Sequence, residues 1–184
     1  MRRPSGAGRL SMLDEPIHLE PYQPGWEEQF LIERSRLATS LRIQAAAIEH
    51  IGSTAVPGLS AKPIVDIMIG AEQVPPPVAW SEVLATLGYE ALGEAGVPGR
   101  WYFRLRAMPF RNAHVVAGDG AHWVNNLAFR DYLRRTPDAA REYEMAKRAA
   151  IMAGATTLLA YSRAKSAVVE DLLNRALKPI APGT

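Results

Sequence analysis

Hydrophobic residues recur along this chain at two periods, and glycine and proline punctuate the segments. Ala47, Ile48 and Ile51 form a short apolar lead-in that Gly52-Ser53-Thr54 interrupts. After Pro57-Gly58, the run Ile64-Val65-Asp66-Ile67-Met68-Ile69 is apolar at all positions but Asp66, the pattern of a strand covered on both faces. From Trp101 to Arg106 the residues alternate, with Tyr102, Arg104 and Arg106 on one face and Trp101, Phe103 and Leu105 on the other. Asn112 to Ala117 reads as a further strand, ended by Gly118-Asp119-Gly120 and paired with the preceding one as a hairpin across Met108 to Arg111. Ile17 to Glu20 and Tyr89 to Leu92 are shorter strand candidates, and the glycine-rich Gly93 to Gly99 is a loop.

Helical spacing fills the rest. Phe30, Leu37 and Leu41 follow Trp26 on one stripe, with Glu27 and Glu28 suited to the positive end of the helix dipole. Trp80, Val83, Leu84 and Leu87 form a second stripe, closed by Gly88. A third helix over residues 122–135 turns Trp123, Leu127 and Tyr132 inward. Thr136 is the expected N-cap of a fourth, with Pro137 at its first position, an apolar stripe of Ala140, Tyr143, Ala146 and Ala150, and Gly154 at its end. The last helix, over residues 159–177, is expected to bury Leu172, Leu173 and Leu177 before Lys178-Pro179 stops it. This divides the chain into an N-terminal lead over 1–15, a domain over 16–178 and a tail over 179–184.

Composition narrows the class. The 184 residues suit one domain on a prior of about 150 residues each. Twenty-one basic residues face 19 acidic ones, a net charge of +2, whereas a nucleic-acid binder shows a stronger basic excess. Arg130, Arg134, Arg135, Lys147 and Arg148 are interspersed with acids and read as a solvated helix face. No cysteine occurs, so disulfides and thiolate metal sites are excluded. No apolar run approaches the ~20 residues that span a bilayer. A cytoplasmic domain without a membrane partner is expected, and the oligomeric state is not readable.

The candidate chemistry gathers around Asp66. A carboxylate in an apolar strand is costly unless a cation or donors meet it. Two readings stay open: a group facing a ligand or metal, or a structural ion pair with Lys62 or an arginine. Gly52 lets the backbone approach a ligand closely, and the Ser53 and Thr54 hydroxyls beside amides suit phosphate oxygens. Lys62 can add a point charge to the same pocket. Arg104 and Arg106 can clamp a phosphate or carboxylate, with His114 on the same face.

The stretch from Glu49 to Gly70, EHIGSTAVPGLSAKPIVDIMIG, resembles the GrpB family, which is similar in fold to polymerase-β type nucleotidyltransferases. In that superfamily a Gly-Ser turn precedes a strand carrying acid, apolar, acid. Here 12 residues separate Ser53 from Asp66, and Met68 stands where the second acid belongs. Tyr22, Pro24 and Trp26 match the family's entry segment, and Tyr161 and Lys165 its Tyr-to-Lys spacing. The resemblance extends from Ile17 to about Ala176. It implies an α/β (α+β) nucleotidyltransferase-like mixed sheet flanked by helices, with a helical C-terminal third. It also implies a cleft for a nucleotide or other anionic, phosphorylated small molecule. Asp66 would hold Mg²⁺, Gly52, Ser53, Thr54 and Lys62 the phosphates, His114 or Glu49 would act as base, and Lys165 would add an anion contact. Glu49 or Asp119 could supply a second metal oxygen. Family members carry His, apolar, His and then an acid on the later strand, where this chain has Asn112, His114 and Ala117. A catalytically degenerate module that binds or assists another protein is therefore the alternative.

Overall fold

The apolar run around Asp66 is a strand, and the sheet is built outward from it. The computed structural model describes residues 15–178; the expected tail over 179–184 and all of the expected lead except Glu15 lie outside the described residues. Strands β1 (Ile48–Ile51), β2 (Ile64–Ala71), β3 (Glu90–Ala91), β4 (Arg100–Leu105) and β5 (Phe110–Ala117) form one sheet in the order β1-β2-β5-β4-β3. β2 and β5 run parallel, and the other neighbouring pairs are antiparallel. Among the described residues the helices are α1 (Gly25–Leu41), α2 (Val78–Thr86), α3 (Ala121–Arg135), α4 (Pro137–Met152), α5 (Leu158–Ala164) and α6 (Ser166–Ala176). The α/β class and the helical last third are as expected.

Both faces of β2 are covered, which is why it reads as a continuous apolar run. On one face Ile67, Ile69, Phe103, Leu105 and Val115 pack with Trp26, Phe30, Leu37 and Leu41 of α1 and with Leu84 of α2. Ile67 and Ile69 are fully buried, each contributing about 2 kcal/mol of hydrophobic stabilisation. Buried Glu33 shares this layer, accepting a 3.0 Å hydrogen bond from the Tyr89 hydroxyl and pairing with Arg111 at 3.3 Å. On the opposite face Ile51, Met68 and Val116 meet Trp123 and Leu127 of α3. Leu133, Ala139, Tyr143 and Leu172 join α3, α4 and α6 against Val56 and Leu59 of the loop before β2.

Several expected details shift. The buried stripe of α4 is Ala139, Tyr143, Lys147 and Ala150, so Lys147 lies inside and not on a solvated face. Its ammonium is fully buried because Glu144 and the Ser60 carbonyl meet it there. Arg130 is also buried, held by Glu49 at 2.6 Å and Asp131 at 2.7 Å. The expected last helix breaks at Lys165 into α5 and α6, and Leu177 lies beyond α6, 46% exposed. Pro137 opens α4 as expected, but the Thr136 side chain makes no capping bond. The Ile17 to Glu20 segment contributes only a bridge between Glu20 and Ala61, and the Tyr89 to Leu92 strand contracts to β3.

Candidate functional site

Asp66 sits near the start of β2, level with Ile51 of β1 and Asn112 of β5. Pairing of β2 with β5 brings Asp66, Asn112 and His114 onto one sheet face. Asn112 donates through Nδ2 to Asp66 Oδ1 at 2.6 Å, and His114 Nε2 stands 3.3 Å from the same oxygen. An ionised carboxylate only accepts, so His114 carries its proton on Nε2. The Asn112 amide is itself oriented: its Oδ1 accepts from the Tyr102 hydroxyl at 2.7 Å and from Arg106 at 3.0 Å. Burial pushes the Tyr102 phenol up to about 12, which keeps that donor protonated. Asp66 Oδ2 faces Lys62 Nζ at 3.8 Å. Burial alone would raise the Asp66 carboxyl, but Lys62, His114 and Asn112 outweigh it and hold it well below the usual carboxylate range. Burial lowers His114 despite its acidic neighbour, so it is a neutral donor.

Beside Asp66 opens a cavity of about 130 Å³ whose lining includes Gly52, Ser53, Thr54, Lys62, Tyr143, Tyr161 and Lys165. The Gly52 turn delivers Ser53–Ala55 as a single 3-10 turn over the end of β1. Lys165 enters from the break between α5 and α6, where its ammonium donates to the Tyr143 hydroxyl at 2.8 Å. Segments far apart in sequence thus converge on one pocket: the turn after β1, the start of β2, the middle of α4 and the α5–α6 junction. On the other side of Thr54 lies a depression of about 550 Å³, bordered by His50, Arg134, Arg141 and Glu144.

The remaining sequence-selected residues lie elsewhere. Arg104 is held by Glu90 at 2.7 Å and Glu15 at 3.3 Å, and Arg106 by Glu15 at 2.7 Å. Together they border a separate pocket with Arg36 and Arg111, so they do not line the Asp66 cavity, and Arg106 reaches Asp66 only through Asn112. Glu49 is engaged with Arg130 of α3. Asp119 lies past the far end of β5, beside Gly70 and Trp123. Sequence reasoning missed Tyr143 as a cavity group, because an aromatic on a helical stripe reads as core.

Magnesium, implied by the resemblance, does not suit this donor set. Among the described residues Asp66 is the one carboxylate lining the cavity, and its oxygens already face Asn112, His114 and Lys62. Met68, fully buried, offers a thioether that a hard cation does not favour. Among the described residues no group of three or more His, Asp or Glu side chains could hold a metal ion.

The family model described as GrpB protein matches residues 16–175. The chain belongs to the GrpB family. A UPF0157 protein of Pseudomonas aeruginosa is 39% identical over 171 residues, covering 89% of this chain and 69% of that protein. The crystal structure of conserved protein GrpB from Enterococcus faecalis superposes with a TM-score of 0.76 at 33% identity, covering 87% of this chain and 97% of that one. A dephospho-CoA kinase of Mycolicibacterium paratuberculosis is 29% identical over 187 residues, and the match covers 88% of this chain but 46% of the kinase. This GrpB-family chain therefore spans under half of that relative.

Proposed function

We propose that this GrpB-family chain binds a small phosphorylated metabolite, a nucleotide or a similar anion, in the cavity between the Gly52 turn and Lys165. The observation that carries the reading is Lys165. Among the described residues its ammonium has no carboxylate partner, and it borders a pocket whose other cation, Lys62, faces the single acid there. An ammonium has three donors, and Tyr143 takes one of them, which leaves donors for an anion's oxygens. Ser53, Thr54 and Tyr161 line the same space. Magnesium-dependent nucleotidyl transfer calls for carboxylates that Met68 and the partners of Asp66 do not supply.

The test is thermal unfolding with inorganic phosphate, ATP or dephospho-CoA, each with and without Mg²⁺. A ligand at 100 times its dissociation constant stabilises the native state by about 2.7 kcal/mol. The reading expects a rise in Tm with at least one of these ligands, independent of Mg²⁺ and absent in Lys165→Ala. No rise with any of them counts against it.

A second reading has its own support. Relatives named dephospho-CoA kinase contain much more chain than the part matched here, which favours a module working beside a kinase as a binding or folding accessory. Co-expression with a separate dephospho-CoA kinase would give a stable complex on gel filtration if this holds, and two independent peaks if it does not.

A further inference from the structure

Lys62, Ile64 and Leu158 line the cavity beside Asp66, and the same residues line a second cavity of about 260 Å³. The two spaces are therefore neighbours across a shared wall. By contrast, the depression on the other side of Thr54 has only that residue in common with the Asp66 cavity among the described residues, and Thr54 is buried. Backbone pairing holds the second cavity open. Ile64 of β2 and Phe110 of β5, both in its lining, are partners across the parallel pair. The 15–17 segment is tied to the entry of α5, with Leu158 N donating to the Glu15 carbonyl at 2.9 Å and Ile17 N to the Thr156 carbonyl at 3.1 Å.

The chemistry of the two spaces differs. Lys165 and Lys62 bring positive charge to the first. The second is lined by Ile17, Pro63, Ile64, Phe110 and Leu158, and the charged groups beside them are matched within the wall. Arg106 donates to both carboxylate oxygens of Glu15, at 2.7 and 2.9 Å, and its guanidinium stands over the Phe110 ring, 6.0 Å from the centroid. His18 faces Glu20 at 3.2 Å, and Lys62 faces Asp66 at 3.8 Å. Ile17, Phe110 and Leu158 are only half-buried, so apolar surface is left for a ligand to cover. Apolar walls beside a few fixed polar groups are the usual form of a small-molecule site.

We propose that the anion held at Lys165 is the head of an organic phosphate, a phosphomonoester whose carbon part is an apolar ring that passes Lys62 and packs in the Phe110 cavity. The inference rests on the binding reading above and narrows its ligand. Inorganic phosphate would fill only the first space. A polyol phosphate would set hydroxyls against apolar walls, losing their hydration without a hydrogen bond in return. An apolar ring gains by leaving water there, and Phe110 offers it an aromatic contact. Lys62, which lines both spaces, stands where head and body join.

Isothermal titration of the full chain with phenyl phosphate, glycerol 3-phosphate and inorganic phosphate tests this. The two esters carry the same charged head and differ in the body. The expected result is phenyl phosphate binding about tenfold or more tighter than glycerol 3-phosphate, the discrimination that a few apolar atoms give in an apolar pocket. In Phe110→Ser that ratio should fall toward one, whereas in Lys165→Ala both esters should weaken together. Should Phe110→Ser not fold, Ile17→Ser alters another part of the same cavity and reads the same ratio. Equal affinities of the two esters for wild type, or a wild-type ratio in the folded variant, would overturn the inference and leave the binding reading standing. No binding of any of the three would sink the binding reading, and this inference with it.

Discussion

Gly52 takes a φ of +73°, and a Cβ placed on it would stand 2.8 Å from Oδ2 of Asp66. The turn and the acid are therefore fitted to each other: the backbone closes over the carboxylate because no side chain stands between them. Gly52→Ala meets both a left-handed backbone and a collision with the side chain of a packed strand. It should destabilise the fold by about 1–3 kcal/mol and displace Ser53 from the cavity. Urea denaturation measures the first effect, and a phosphate titration of the folded fraction the second.

Glu144 and Lys147 give a second prediction. The fully buried Lys147 ammonium lies 2.9 Å from Glu144, whose carboxyl is held down to about 2. Burial works against that low value, and the donors Ser60, Lys147 and Arg148 outweigh it. Glu144→Gln strands the buried ammonium and should cost about 3–5 kcal/mol. Adding Lys147→Met should recover a large part, since the stranded charge is then gone. Chemical denaturation of the single and double variants checks both.

His50 makes stability depend on pH between 6.5 and about 4. Its ring stacks on Phe30 with centroids 4.8 Å apart, and its Nε2 lies 3.0 Å from the Thr54 hydroxyl. Burial is the main cause that pushes the imidazole down from 6.5 to about 4, with Arg134 and Arg130 acting in the same direction and Asp66 against it. The unfolded chain thus takes up this proton below pH 6.5, while the folded chain does so only near pH 4. The resulting stability is complete above pH 6.5 and is lost as pH falls from 6.5 toward about 4. The shift corresponds to about 3 kcal/mol. Denaturation across that window should show the loss, and His50→Gln should flatten it.

The sequence made the Gly52-Ser53 turn, Asp66 and Lys165 legible for local reasons. A glycine break, a charge within an apolar run and a Tyr-to-Lys spacing are all visible within a few residues. Arg104 and Arg106 were misplaced because their partner Glu15 lies 89 and 91 residues away. Alternation fixes a strand's face but not which carboxylate reaches it. Lys147 was misplaced for a related reason: a lysine on a helix reads as solvated until a distant carbonyl, here that of Ser60, is brought against it. Asn112 looked like a lost histidine, and only the register of β5 against β2 reveals it as the donor that fixes Asp66.

The central claim is that an anion meets Lys165 beside Ser53 and Asp66. Isothermal titration of the full chain with inorganic phosphate, ATP and dephospho-CoA, in parallel with Lys165→Ala, tests it most directly. The account predicts saturable binding of at least one of them to wild type, unchanged by EDTA and weakened at least tenfold in Lys165→Ala. Equal affinity in the two proteins, or no heat from any of the three ligands, would contradict it.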